Sequence, residues 1–319
     1  VDGGVNWESA DNGIGAANVF AVSVAQTPDP QVLYGAYDTG GNLLRHGMWY
    51  HTNWGDGFNT IIHPDNADIM FATSQNGGLY KSVDAFSFEE TLGSKKTKTE
   101  WHTWIDIHPV DHHTIYCSGS QLQRSRDLGK TWETILDIKD IGEHVFNCYR
   151  FFLSDAHPGV MYVTVLSNKE VRPEIWRTFN VNVADPEQIL WEKMPALPSL
   201  GWVSGMVADP NDPKKFYTLF SNRDAKNKLW YWNGSDYVDE TRNLGHCLAE
   251  SMILQRGTSQ RMYIGTDYGV FTRSRGETEW TLLTGLPGVD VRSLAINYDA
   301  RKLIAGTYGR GIWMADLPD

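Results

Sequence analysis

The chain has few cations, few cysteines and no long apolar run. Its 319 residues carry 28 lysines and arginines against 39 aspartates and glutamates, a formal net charge of −11. Nucleic acids and anionic membranes are bound through basic surfaces, so this charge argues against both as partners. No stretch of about 18 apolar residues occurs, which excludes a membrane-spanning helix.

The three cysteines, Cys117, Cys148 and Cys247, are odd in number and form no CxxC pair. This spacing argues against a zinc site or a disulfide framework and favours buried free thiols. The acidic turn DPNDP (residues 209–213) lacks the spacing of an EF-hand calcium loop, so we expect a solvated turn there. We therefore expect neither a metal nor a cofactor.

The chain starts at Val1, without a methionine and without a charged-then-apolar leader. We expect it to be a mature or excised part of a larger polypeptide, from which the targeting signal is missing.

Glycine and aromatic residues are abundant instead, with 30 glycines, 13 tryptophans and 14 tyrosines. Aromatic residues are enriched in strands and glycine in tight turns, so the composition favours many short strands over helices. We expect an all-β protein that forms one domain over residues 1–319.

An internal repeat defines the architecture. GFNTIIHPDNADIMFATSQNGGLYKSVDAFSFEETL (residues 57–92) and TWIDIHPVDHHTIYCSGSQLQRSRDLGKTWETIL (residues 103–136) share one order of strands, Asp/Pro turns and glycine turns. The spacing of about 45 residues is typical of four-stranded propeller blades. The repeat predicts a seven-bladed β-propeller of four-stranded antiparallel blades, whose first strands open near Val19, Phe58, Trp104, Phe146, Val203, Leu248 and Val291.

The last repeat supplies three strands and stops. The opening segment VDGGVNWES (residues 1–9) ends like a repeat, with Asp2, Gly4 and Trp7 in the matching order. We expect this N-terminal strand to join the last blade and close the ring.

The segment SRDLGKTW (residues 125–132) lies in the turn between the third and fourth strands. Asp127 can accept hydrogen bonds across the turn, Gly129 can take a positive φ, and Trp132 can pack between sheets. Blurred copies are SVDAFSF (residues 82–88) and SRGETEW (residues 274–280). We expect these turns to stabilise the fold rather than to catalyse a reaction.

These motifs resemble the Asp-box (BNR-repeat) β-propellers, which include sialidases, sortilin-type domains and xyloglucanase-like glycoside hydrolases. Segments such as GDGFNTIIHPDNADIMFATSQNGGLYKS are similar to propellers of large secreted Bacteroidetes proteins. The resemblance covers essentially the whole chain and implies an extracellular or cell-surface location. It does not imply one activity, because this fold carries both enzymes and binding proteins.

Candidate site residues lie in the loops that lead into the first strands and in those between second and third strands. Such loops share one face of a propeller, around the channel mouth, where ligands bind. The predicted ligand-binding residues are Trp54, Trp101, His102, His144, Trp202, His246, Tyr268, Tyr308 and Arg310. For each tryptophan, packing between blades is the alternative interpretation, most strongly for Trp104, which begins an apolar alternation. His108, His112 and His113 belong to a turn of the opposite face, where we expect them to be solvated.

Four carboxylates of the same loops are the only candidates for catalysis, namely Asp56, Glu143, Glu250 and Asp290. Asp56, in GDGF, and Arg310, in TYGRG, are placed at the site by the resemblance. The alternative is that Asp56 caps a turn and Arg310 pairs with a neighbouring carboxylate.

Three functions are compatible with these residues. Aromatic platforms among polar groups favour a recognition propeller that binds a glycan or a polypeptide. The first alternative is a glycoside hydrolase that uses the rim carboxylates, or a lyase with His102 or His144 as base and Tyr308 or Arg310 nearby. The arginine triad and Tyr–Glu pair of sialidases are missing, so we expect binding rather than catalysis. A structural or assembly scaffold, like the photosystem-assembly propellers of similar architecture, is the second alternative.

Overall fold

Apolar alternation along the repeats produces short antiparallel strands, arranged in seven sheets around a central channel. The structure, a computed structural model, describes residues 16–91, 101–141, 150–166, 173–224, 226–257 and 260–318. Within these ranges there is no α-helix, so no helix of the described chain is long and apolar enough to cross a membrane. The protein is a seven-bladed β-propeller, as the repeat predicts.

Each blade is a sheet whose strands follow one another from the channel outwards. Blades 1 to 3 contain β1 Val19–Val24, β2 Val32–Ala36, β3 Gly40–Arg45, β4 Met48–Asn53, β5 Gly57–Ile62, β6 Met70–Ser74, β7 Leu79–Ser82, β8 Glu89–Glu90, β9 Ile105–Ile107, β10 Ile115–Cys117, β11 Gln121–Ser125 and β12 Glu133–Asp137. Blades 4 and 5 contain β13 Arg150–Leu153, β14 Met161–Leu166, β15 Pro173–Thr178, β16 Glu192–Lys193, β17 Trp202–Asp209, β18 Asp212–Ser221, β19 Leu229–Trp232 and β20 Tyr237–Asp239. Blades 6 and 7 contain β21 Ala249–Leu254, β22 Met262–Thr266, β23 Gly269–Arg273, β24 Thr281–Leu282, β25 Asp290–Asn297, β26 Lys302–Tyr308 and β27 Gly311–Asp316.

Two of the expected boundaries fall outside the described residues and stay predictions. Phe146, the predicted start of blade 4, lies outside the described residues, and the described strand of that blade begins at Arg150. Blade 7 has three described strands, β25, β26 and β27. The predicted fourth strand, residues 1–9 with Trp7, also lies outside the described part of the chain, so closure by that segment stays a prediction.

Hydroxyl groups on the inner strands join neighbouring blades. Ser204 Oγ donates to the carbonyl of Ala249 (2.6 Å), and Ser251 Oγ donates to that of Val291 (3.2 Å). The amide of Val22 donates to Ser293 Oγ (3.1 Å), which joins blade 1 to blade 7. The ring of inner strands is therefore closed within the described chain.

Glycine in second strands allows blades to approach closely. A Cβ on Gly265 would lie 2.4 Å from the carbonyl oxygen of Val291 in the next blade, and one on Gly306 would lie 2.4 Å from Val22 Cγ1. Side chains at these positions would push the inner strand of the following blade outwards. Inter-blade packing thus requires glycine at positions 265 and 306.

The turn that contains Asp127 stabilises the hairpin between β11 and β12. Asp127 Oδ1 accepts hydrogen bonds from the amides of Lys130 (3.0 Å) and Thr131 (2.8 Å), and Trp132 Nε1 donates to the carbonyl of Gly129 (3.2 Å). In blade 2, Asp84 accepts from the amides of Phe86 and Ser87 in the same way, and these bonds lower its pKa. The predicted role of the turn in holding the fold is consistent with these bonds.

The turns after the first strands contain histidines that connect blades. His108 Nε2 donates to the carbonyl of Pro158 (3.1 Å), and His157 Nε2 donates to that of Asp209 (2.9 Å) in the next blade. His108 is buried, so the expectation that it is solvated is wrong, because its ring fills the gap between two blades. His113 is exposed as expected.

Candidate functional site

The upper face of the propeller is the face on which chain connections lead into the first strands and on which second strands turn into third strands. The mouth of the channel on this face contains aromatic side chains from four blades. Phe20 on β1 lies 5.0 Å from Phe58 on β5, measured between ring centres, and 6.1 Å from Tyr308 on β26. Phe20, Phe58 and Tyr308 lie on strands that converge at the channel, and this convergence brings their rings together.

A continuous stack follows the mouth from blade 2 to blade 4. The His102 ring is stacked on Phe58 at 4.4 Å and on Trp104 at 4.1 Å. The guanidinium of Arg150 then lies 4.0 Å above the Trp104 ring, and its Nη1 donates to the carbonyl of Ser204 in blade 5 (2.6 Å). We call Tyr308, Phe20, Phe58, His102 and Trp104 the aromatic arc.

At its other end the aromatic arc meets a second arginine. The guanidinium of Arg292 lies 4.0 Å from the centre of the Tyr308 ring, and Nε forms an ion pair with Asp290 Oδ2 at 2.9 Å. Each end of the arc is therefore capped by an arginine, an arrangement in which the cation is attracted to the face of the ring.

His102 is neutral in this environment. Desolvation by the surrounding rings, together with the charge of Arg150, lowers its pKa to about 3. Nε2 donates to Asn59 Oδ1 (2.7 Å), because an amide oxygen can only accept. A histidine with so low a pKa is a weak base near pH 7, which argues against the lyase chemistry considered for it.

Two of the four carboxylate candidates lie near each other on the remaining side of the mouth. Burial raises the pKa of Glu250, and the nearby negative charge of Asp290 adds to this rise. The Ser221 hydroxyl, which donates a hydrogen bond to Oε1 of Glu250 (2.9 Å), lowers the pKa in part. Asp290 is held by Arg292. The upper mouth thus has an aromatic side and an acidic side.

The other two carboxylates are placed differently. Asp56 is buried, accepts a hydrogen bond from the amide of Asp38 (2.9 Å) and donates its own amide to Gln75 Oε1 (2.7 Å). These contacts hold two upper loops together and match the alternative interpretation of Asp56 as a capping residue. Glu143 and the predicted binding residue His144 lie outside the described residues.

Four predicted binding residues project from the upper loops into solvent, and we call them the aromatic rim. Trp54 is 82% exposed, Trp101 52%, Trp202 40% and Tyr268 54%. The His51 ring supports Trp54 at 4.2 Å, and Arg223 pairs with Asp267 (2.5 Å), the residue before Tyr268. Burial of large aromatic side chains is favourable, so rings left this exposed are available for contact with another molecule.

His246 and Arg310 are exposed on the same face. The amide of Arg310 donates to Thr307 Oγ1 (3.1 Å), and its carbonyl accepts from Trp313 Nε1 (3.0 Å), so the β26–β27 turn is fixed through its backbone. The position of these residues is compatible with ligand contact.

Sequence analysis missed Phe20 and Arg150, and it assigned Trp104 to packing. Trp104 is half-buried and packs on the core, but its ring also contacts the guanidinium of Arg150 at the channel mouth. Arg150 had a detectable signal, because a cation at the start of an otherwise apolar inner strand is unusual.

Among the described residues, no group of three or more histidine, cysteine, aspartate or glutamate side chains is arranged to hold a metal ion. Neither a known protein family nor a curated protein matches the sequence.

Solved structures share the fold at low identity. YCF48 from Cyanidioschyzon merolae is 12% identical with a TM-score of 0.65, over 95% of this chain and 96% of that chain. YCF48 bound to D1 peptide is 10% identical with a TM-score of 0.65, over 96% and 95%. The GH74 xyloglucanase from Xanthomonas campestris is 14% identical with a TM-score of 0.68, over 94% of this chain and 52% of that chain. This chain thus spans about half the length of the xyloglucanase, and the likeness shows the fold alone.

Proposed function

We propose that this protein is a recognition propeller that binds a polypeptide or a glycan across its upper face. The observation that carries this proposal is the aromatic rim, whose four rings stay exposed around one mouth. Rigid aromatic side chains supply large contact areas at a low cost in conformational entropy, and they stack on sugar rings or peptide groups.

The contrast between rim and arc supports binding over a purely structural role. Rings of the aromatic arc pack on one another and on arginines, which makes the floor of the mouth rigid. Rim rings, by contrast, remain 40–82% exposed. A rigid floor with exposed anchors reduces the entropy lost when a ligand is bound.

A polypeptide ligand receives support from one comparison, because YCF48, which shares the fold, has been solved with D1 peptide bound. The hydrogen bonds of the Asp127 and Asp84 turns support membership of the Asp-box propellers. The branch of secreted Bacteroidetes proteins, and with it an extracellular or cell-surface location, is proposed on the sequence resemblance alone. One domain over residues 1–319 is proposed on the repeat.

Binding is tested with arrays of immobilised polysaccharides and of overlapping peptides. We expect retention on one class, and Trp101→Ala, Trp54→Ala and Trp202→Ala each to weaken it about tenfold or more. Trp49→Ala is the matched control, because Trp49 on β4 is also 52% exposed but lies on the outer strand. Binding that is insensitive to every rim residue contradicts the proposal, and no binding to either class favours a scaffold.

A glycan-cleaving enzyme is the second candidate, and the unequal environments of Glu250 and Asp290 favour it. A carboxyl with a raised pKa can act as a general acid, while a carboxylate held by an arginine can act as base or nucleophile. Catalysis would be established if the immobilised polysaccharides release a product and if Glu250→Gln and Asp290→Asn abolish that release. Glu279→Gln, at an exposed position, is the control and should keep it. Retention without release leaves the recognition proposal in place.

A further inference from the structure

The lower face of the propeller is the face on which first strands turn into second strands. Two adjoining cavities of about 480 and 500 Å³ lie there, each large enough for a small organic molecule. Both are lined by Asp106, Leu153, Asp155, Ile253, Leu254 and Arg256. Further apolar side chains, among them Met206, Met252, Ile107 and Leu294, complete the walls. The first of these lower cavities, which Met206 and Met252 line, is mainly apolar, whereas the second has more polar than apolar surface.

The two carboxylates in these walls differ in their partners. Asp155 Oδ2 forms an ion pair with Arg256 Nη2 at 3.1 Å. Asp106, on β9, is exposed to the cavity. Among the described residues, its carboxylate accepts one hydrogen bond, from the amide of Ile107 (2.8 Å), and has no ion pair.

The charge of Arg150 acts on Asp106, but this cation also has partners on other blades. Its guanidinium lies over Trp104 and donates to the carbonyl of Ser204 in blade 5. Desolvation by the surrounding protein raises the pKa of Asp106 to about 7, and the negative charge of Asp155 adds to this rise. The hydrogen bond from the Ile107 amide and the positive charge of Arg150 act in the opposite direction. Asp106 is thus a carboxylate that has no ion pair among the described residues and that the charge of Arg150 compensates only in part.

We propose that the lower cavities bind small organic cations, in which a primary ammonium group is carried on an apolar body. The ammonium donates charge-assisted hydrogen bonds to Asp106, and the apolar body packs against the walls around Leu153 and Ile253. The apolar walls of the first cavity favour an amine over a metal ion, because a hydrated ion would gain nothing from them. This site lies at the opposite end of the channel from the aromatic rim and does not depend on the function proposed there.

The probes that test the site are 2-phenylethylamine and its neutral counterpart 2-phenylethanol, which share one carbon skeleton. We expect calorimetry at pH 8 to show that the amine binds at least tenfold more tightly than the alcohol. Titration should shift the NMR signals of the methyl groups of Leu153 and Met252, which line the cavity. This comparison uses the unmodified protein, so it holds whether or not a variant folds.

Asp106→Asn should reduce the affinity for the amine at least tenfold and leave that for the alcohol unchanged. Asp290→Asn, the same substitution at the upper mouth, should change the amine affinity less than twofold. Equal binding of amine and alcohol, or an amine affinity that Asp106→Asn does not change, overturns the proposal.

The affinity for the amine should also fall as the pH is lowered from 8 to 6, because protons compete for Asp106. The titratable and charged groups that face this carboxylate or line its cavities are Asp155, Arg150, Arg256, His108 and His112. Asp106→Asn should abolish most of this pH dependence, and a dependence that persists in the variant contradicts the assignment to Asp106.

Discussion

The guanidinium of Arg150 lies 4.0 Å above the ring of Trp104, and the same cation lies 4.6 Å from the ring of Phe152. It also donates to the carbonyl of Ser204, so one side chain connects blades 3, 4 and 5 at the channel mouth. The open space of the channel is thereby bounded on its upper side by a cation held between aromatic rings.

Replacement of Arg150 by alanine should destabilise the protein by about 1–3 kcal/mol, because both the cation–π contacts and the bond to Ser204 are lost. It should also raise the pKa of His102, since the charge of Arg150 contributes to its low value. Denaturant unfolding and an NMR titration of the His102 ring measure the two effects. Arg310→Ala, at an exposed position, is the control and should change neither quantity.

His102 should make the protein less stable in mild acid. A histidine in the unfolded chain titrates near pH 6.5, whereas the pKa of His102 in the folded protein is about 3. Between these values the unfolded chain binds the proton and the folded protein does not, so the free energy of unfolding decreases as the pH falls from about 6.5 towards 3. At pH 5 this loss is about 2 kcal/mol.

His102→Phe keeps a ring in the stack and removes the titration, so its stability should decrease less between pH 7 and pH 5. Part of the slope should persist, because burial also lowers the pKa of His63 and of His108. His246→Phe, at an exposed position, is the control. An identical slope in His102→Phe and in the unmodified protein contradicts the assignment.

Gly306→Ala should destabilise the protein by about 1–3 kcal/mol, because the new methyl group would lie 2.4 Å from Val22 Cγ1 and 2.8 Å from Val19 Cγ1. Gly288→Ala is the matched control, since a Cβ there meets no atom within 4 Å. Thermal unfolding compares them, and equal midpoints would show that the junction of blades 7 and 1 tolerates the added volume.

Arg124→Met should destabilise the protein by about 3–5 kcal/mol. The buried guanidinium forms an ion pair with Glu133 and donates to the carbonyls of Val181, Val183 and Ala184, which the methionine cannot replace. Arg126 reaches some of the same carbonyls from an exposed position, and Arg126→Met should cost less than about 1 kcal/mol. Denaturant unfolding measures the stability lost in each variant. Equal losses in Arg124→Met and Arg126→Met would show that burial of the guanidinium does not determine its contribution to stability.

The fold was predictable because its signals are local and repeated. The Asp127 turn and the strand alternation recur along the repeats, and each constrains only a few neighbouring residues. Strand order follows directly, since consecutive strands pair in every blade.

The site was predictable only in part. The exposure of residues such as Trp54 was predictable, because the repeat assigns them to loops of the upper face, and they are exposed there. The aromatic arc was not predictable, because Phe20 contacts Tyr308 and Phe58 from other blades, and alternation shows only that a side chain leaves the sheet, not which partners it meets. The position of Asp106 in a cavity wall, without an ion pair among the described residues, depends on the same kind of distant geometry.

The bond between Val22 and Ser293 joins residues 271 positions apart. Six of the seven junctions between blades connect neighbours in the chain and can form as soon as two successive repeats are present, whereas this one requires both ends of the sequence. Contacts of such high separation form late in folding, because the entropy of closing a long loop opposes them. A chain that lacks either end can therefore form its individual sheets, but it cannot form the contact between the first and last blades. Such a chain should unfold less cooperatively than the closed ring.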